Sequence, residues 1–271
     1  MKQILIVIDK SWLQARSKEH MLSIFSNNRL LLPDMLFYEL TTADDNVVMK
    51  RCFEKLVDSV NSCDLIENVG GLLRYEKENN MPSTPLNNKP FLRSADNFKE
   101  VFEKLISDGF TSEQDKIRDG EFRVREVDET ETLKRVFASV GVWFPELYKI
   151  RFGSSESAYQ PIYEQIADDS NKIKSIYGEI TELRKKYYPA VQSIDKNWAF
   201  YRRIQVHLLA AVEYCQKYGV DNATVISKKL PNEFQDLEYL IIATLADGFA
   251  TYEKRLQKLY KLICPNGILI Q

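Results

Sequence analysis

The run Gln3-Ile4-Leu5-Ile6-Val7-Ile8-Asp9 constrains this chain more than any other stretch. It is almost continuously apolar, so neither of its faces can be left in water. That is the pattern of a central strand in a parallel sheet covered on both sides, which places the chain in the α/β class. The run also ends in an acid. In open α/β sheets ligands bind outside the carboxyl ends of the strands, so Asp9 stands where chemistry is expected.

Two other stretches carry acids into similar positions. Arg29-Leu30-Leu31-Leu32-Pro33 reads as a second strand leading into a helix over Asp34–Leu40, with Pro33 suited to its first turn. Glu39 falls three residues after Leu36 and four after Met35, beside the buried stripe of that helix. Near the C-terminus, Pro231 to Leu256 reads as cap, helix, turn, short strand and new helix. Asn232 with Gln235 three residues on is a capping arrangement, and Phe234, Leu237, Leu240, Ile241 and Leu245 recur at helical spacing. Asp236 shares a face with Tyr239, Leu240 and Ala243, which turns its carboxylate toward the protein. Gly248 fits the left-handed residue after a helix end. Phe249-Ala250-Thr251 then makes a short buried strand that gives way to a helix at Glu253. An acid near a core costs free energy unless it is paired or holds a cation.

Taken together, Asp9 at the end of the first strand, L-P-x-x-x-x-x-E ending at Glu39, D-x-E-Y-x-x-x-A beginning at Asp236, and A-T-x-E ending at Glu253 resemble the PIN-domain nucleases. The resemblance implies a three-layer α/β/α Rossmann-like, mostly parallel sheet whose acids hold Mg²⁺ or Mn²⁺ and cleave RNA, or in some branches structured DNA. On it, Asp9, Glu39 and Asp236 are similar to the first, second and third family acids. Glu253 stands where the family usually has an aspartate, and Thr251 matches the small hydroxyl residue two positions earlier. The likeness covers about the first 70 and the last 75 residues. Nearly 200 residues separate Glu39 from Asp236, which implies a sizeable insertion. The expected division is therefore a PIN-like domain from 1–75 plus 190–271, with a mainly helical insertion at 76–189.

Inside that insertion, residues 79–90 form a loop rich in Pro and Asn. Helical spacing follows at Phe98, Val101, Phe102 and Leu105, and again at Leu133, Val136, Phe137 and Val140. Gly141 to Pro145 is an aromatic corner, Asn171–Tyr188 a polar helix, and Ile194–Tyr218 a long helix returning to the sheet. Arg184, Lys185 and Lys186 beside Tyr187 and Tyr188, and Arg202 and Arg203 beside Tyr201, combine bases with aromatics. Such mixtures contact phosphate and stack on unpaired bases, although the same residues also make ordinary solvated faces.

Composition narrows the chemistry. With a net charge of −2, any nucleic-acid surface must be a local patch. Four cysteines without a CxxC pair, and only His20 and His207, point to reduced structural thiols and away from zinc. No apolar stretch approaches the ~18 residues of a membrane span, and the N-terminus lacks a signal-peptide pattern, so a cytoplasmic protein is expected. Mg²⁺ takes hard oxygen ligands and keeps several waters, so a few carboxylates suffice without histidine. Ser11 and Thr251 either position a water or phosphate or cap helices; both readings stay open. Asp9 has the alternative of a strand-end cap, and Glu253 that of a helix-dipole partner. Asp247 and Glu238 are the substitutes for it, while Asp34, Asp44 and Asp45 read as cap or surface acids.

The expected activity is a metal-dependent endoribonuclease, which the resemblance places among bacterial toxins or antiviral defence effectors. The alternatives are a DNA flap or single-strand nuclease and a catalytically inactive PIN-like module that binds a partner. A regulatory protein or defence-complex partner, and association of the chain with itself, are left open; no membrane partner is expected.

Overall fold

The computed structural model describes residues 3–25, 28–41, 46–87, 89–108, 133–182, 188–221 and 230–271. They fall into two compact units. The first takes the described residues of Met1–Leu72, Thr84–Glu121 and Glu238–Gln271, and the second those of Leu73–Ser83 and Phe122–Leu237.

The first unit is built on a six-stranded sheet: β1 (Ile4–Ile8), β2 (Asn28–Pro33), β3 (Cys63–Ile66), β4 (Leu92–Ser94), β5 (Gly248–Ala250) and β6 (Ile268–Ile270), in the order β4-β3-β2-β1-β5-β6. Every neighbouring pair is parallel except β3 with β4. The apolar run behaves as its composition dictates: Leu5 to Ile8 are all buried, with strands paired on either side. From β1 the sheet grows through β2 and β3 on one side, and the C-terminal strands β5 and β6 add on the other. The crevice between β1 and β5 is thus where strand order reverses. The sheet is mixed and its connections are helical, an α/β arrangement compatible with three layers.

The helices of this unit are α1 (Lys10–Ala15), α2 (Lys18–Phe25), α3 (Asp34–Thr41), α4 (Asn46–Ser59), the start of α5 (Val69–Asn79), α6 (Lys99–Asp108), the end of α11 (Leu230–Leu245) and α12 (Lys254–Ile263). Rings of Phe37, Phe53 and Phe102 join α3, α4 and α6, with Phe37 and Phe102 stacked at 5.5 Å. α12 buries Leu256, Leu259, Tyr260 and Ile263, and Tyr260 meets Phe249 edge-on at 5.7 Å.

Several local expectations are corrected. Residues 10–25 form two helices, α1 and α2, where continuous helical spacing would allow one. Arg16 is extended, with its N–H on the Trp12 carbonyl, and Ser17 Oγ accepts from His20 N–H at 3.3 Å to restart the turn. Pro33 is the last residue of β2, and Asn232 lies inside α11 instead of ahead of it. Gly248 does not take a left-handed conformation, which among the described glycines occurs at Gly153 and Gly219. It opens β5, where a Cβ would stand 3.0 Å from the Ile268 carbonyl oxygen. Close approach of two backbones, not turn geometry, requires glycine there.

The second unit contains α7 (described over 133–143), α8 (Gln160–Asp168), α9 (Ser170–Thr181) and α10 (Ala199–Tyr218). α10 packs on both α8 and α9 and is buried along most of its length, so it is the spine of the helical unit and not a return to the sheet. Residues near 90–108 in turn belong with the sheet, because β4 pairs with β3 and α6 packs on α4. The compact units thus divide the chain at places other than residues 76 and 190. Trp198 at the start of α10 supplies no side-chain cap. Glu76, fully buried on α5, takes that role, accepting from Ala199 N–H, from Phe200 N–H at 3.0 Å, and from Ser83 N–H and Oγ at 2.9 and 2.6 Å. All four cysteines are free thiols. No described helix is long and apolar enough to cross a membrane.

Candidate active site

Asp9 is the first residue beyond β1, 3% exposed, with its N–H on the Ala250 carbonyl at 3.2 Å. Its carboxylate caps α1, accepting from Trp12 N–H at 2.8 Å, which satisfies one of the donors a helix start leaves open. Ser11 Oγ lies 2.8 and 2.9 Å from the two carboxylate oxygens, and Thr251 Oγ1 donates to Oδ2. Both hydroxyls also accept: Ser11 Oγ from Tyr252 N–H at 3.1 Å, Thr251 Oγ1 from Glu253 N–H at 3.0 Å. The ends of β1 and β5 are thereby clasped around one buried carboxylate.

Glu39, in the last turn of α3, is half-buried and accepts from the Tyr239 hydroxyl at 2.7 Å. Lys10 Nζ reaches the Glu39 main-chain oxygen at 3.3 Å. Burial pushes the Asp9 carboxyl up; hydrogen bonds from Thr251, Trp12 and Ser11 oppose this, and the charge of Glu253 adds to it. Burial also pushes Glu39 up, against the Tyr239 hydrogen bond and the charge of Lys10, while the charge of Asp9 adds to it. The Tyr239 phenol is driven well above its ordinary value by burial and by Glu39 and Asp9. Glu253 occupies the N-cap position of α12 but makes no side-chain cap hydrogen bond, and it is exposed. Asp9 therefore sits in the field of two further acids, Glu39 and Glu253, at the carboxyl edge of the sheet.

Each remaining sequence candidate has its own setting. Asp236, half-buried, is on the part of α11 that belongs to the second unit. Asp247 is at the opposite edge of the sheet, where its carboxylate accepts from Leu5 N–H at 3.0 Å at the amino end of β1. Glu238 is buried and accepts from Val69 N–H at 2.8 Å, at the start of α5. Asp34 is exposed and accepts from Asn68 Nδ2 at 3.3 Å. Arg202 is corrected as a phosphate contact: it is 7% exposed, and its guanidinium donates to the Lys196 carbonyl and to Gln205 Oε1, each at 2.8 Å. Arg203 is half-buried on α10. Arg184, Lys185, Lys186, Asp44 and Asp45 lie outside the described residues.

The chain matches no protein-family model, no curated protein and no solved structure. Its own chemistry must carry the functional reading. An ionised carboxylate has about four acceptor sites, and the three donors on Asp9 leave it one. Glu39 keeps more. Among the described residues, no group of three or more His, Cys, Asp or Glu side chains forms a metal cage. Mg²⁺ is commonly held by one or two carboxylates and water, and mutually repelling, desolvated carboxylates are the donor set such an ion relieves. Asp9 with Glu39 fits that requirement. Lys10 and Tyr239, not singled out as site residues from the sequence, shape this pair. Their signals were adjacency to Asp9 and the tyrosine within D-x-E-Y.

Proposed function

We propose that the first unit is a metal-dependent nuclease of PIN-like type, cleaving RNA phosphodiesters with Mg²⁺ or Mn²⁺. The observation that carries this reading is that burial raises the Asp9 and Glu39 carboxyls beside the β1/β5 crevice, while the charge of Asp9 acts on Glu39 and that of Glu253 on Asp9. Asp9 and Glu39 would hold the ion, with Glu253 at the rim accepting a hydrogen bond from water. When bound, the ion supplies positive charge to the phosphate and lowers the pKa of an attached water. Ser11 and Thr251 fix the orientation of the Asp9 carboxylate, and Tyr239 fixes that of Glu39. Lys10 sets a cation beside this acidic edge. The choice of RNA, a setting as a toxin or defence effector, and a role for Asp236 come from the PIN resemblance.

The test is digestion of labelled RNA and of DNA of the same sequence, with Mg²⁺, with Mn²⁺ and with EDTA. Asp9→Asn and Glu39→Gln should each reduce cleavage about a hundredfold or more while the fold survives. Full activity in both variants rejects the site, and cleavage of DNA alone rejects RNA as substrate. A second reading, a catalytically silent module that binds a partner, is favoured by the three donors already on Asp9. Calorimetry showing no Mn²⁺ binding would select it.

A further inference from the structure

We propose that the second unit carries a separate small-molecule site, a cavity of about 560 Å³ between α7, α9 and α10 that takes a mononucleotide. The volume falls in the range of about 300–1,000 Å³ common to ligand sites. One face of α10 forms a wall, because Phe200, Arg203, Ile204 and His207 recur at helical spacing. Arg135 and Ser139 of α7 and Thr181 of α9 line the other sides.

His207 is the second observation. It is 2% exposed, lines the cavity, and makes no ring hydrogen bond among the described residues. Burial, with the charge of Arg203, keeps its imidazole neutral, so it presents one donor and one acceptor to whatever fills the space. The cavity lets that donor and acceptor meet a ligand edge with complementary groups. Arg135 and Arg203 give the lining two cations. Its acid, Glu179, already accepts from Trp143 Nε1 at 2.8 Å. Trp143, Tyr188 and Phe200 add aromatic surface, the last two with ring centroids 5.4 Å apart. Aromatic faces, polar groups for a base edge and guanidinium groups for a phosphate are the requirements of one nucleotide. The volume suits one unit and not a strand.

The experiment is calorimetric titration of the full chain with AMP, GMP, CMP and UMP in EDTA, so that no metal-dependent binding contributes. Saturable one-to-one binding of at least one nucleotide is expected. Arg203→Gln should weaken it about tenfold, and Ile180→Trp should abolish it. Ile180 lines the cavity yet is 47% exposed, so tryptophan there blocks the space without entering a core. Thermal melts check that both variants fold. Asp9→Asn should bind the nucleotide as wild type does, which separates this site from the nuclease reading: either can fail alone. Absence of saturable binding for all four nucleotides overturns the proposal. So does binding indifferent to both cavity variants, loss of binding in Asp9→Asn, or a matching nucleoside that binds as tightly as its monophosphate.

Discussion

Burial holds the Asp9 and Glu39 carboxyls above their ordinary values of 3.8 and 4.5. The folded protein therefore binds more protons than the unfolded chain across the window that opens near those values and extends upward. Stability contributed by these groups falls as pH rises through that window. In EDTA, Asp9→Asn and Glu39→Gln should each make the decline of Tm between pH 4 and pH 7 shallower than in wild type. A decline equally steep in both variants would contradict the desolvation account. Mg²⁺ added at pH 7 should raise the Tm of wild type and not of the variants, since only a folded site binds it. Tyr239→Phe removes the hydrogen bond that holds Glu39 down, so the carboxyl moves further up. The variant should lose about 1–2 kcal/mol of stability. The pH at which Mn²⁺ binding is half-maximal, followed by calorimetry, should shift upward.

Among the elements, those with a strong local pattern form close to where their residues indicate, and some departures trace to partners distant in sequence. α10 follows its helical spacing, yet its start is set by Glu76, more than a hundred residues earlier. Ala at position 76 leaves the N–H groups of Ala199, Phe200 and Ser83 without that acceptor inside a core. Glu76→Ala should lower unfolding free energy by about 3 kcal/mol in urea titrations, and Glu76→Gln, which keeps one acceptor oxygen, by less. Equal and small losses in both would show that the cap is dispensable. β4 was not legible because three residues carry no usable period, and its existence depends on the exposed edge of β3. Gly248 was legible as a special position but not as a point of backbone contact, because Ile268 belongs to a different strand.

For the whole molecule, the four thiols provide a readout of global integrity. Cys52, Cys63 and Cys215 are buried, and burial pushes Cys63 and Cys215 up to about 12. A thiol that is neither exposed nor ionised does not react. Native protein at pH 8 should therefore label no more than Cys264 with a disulfide reagent, and all four thiols after denaturation. Rapid labelling of Cys63 in native protein would show that the strand order around β3 is wrong. The division into two units also explains why single-stretch reading misassigned α10. Its residues are apolar enough for either core, and only its packing on α8 and α9 distinguishes them.

The sequence by itself determined the α/β class, the central strand β1 and the placement of Asp9, Glu39, Thr251 and Glu253 at strand and helix ends. These follow from short-range hydrophobic pattern and turn chemistry, which act within a few residues. Tertiary structure decided what those residues do to each other: Thr251 and Ser11 bind the Asp9 carboxylate, Tyr239 holds Glu39, Asp247 goes to the far edge, and Arg202 is drawn inside. Each of these outcomes depends on burial and on side chains brought together by strand order. Burial and partnership are properties of the packed chain and are encoded in no single segment of it.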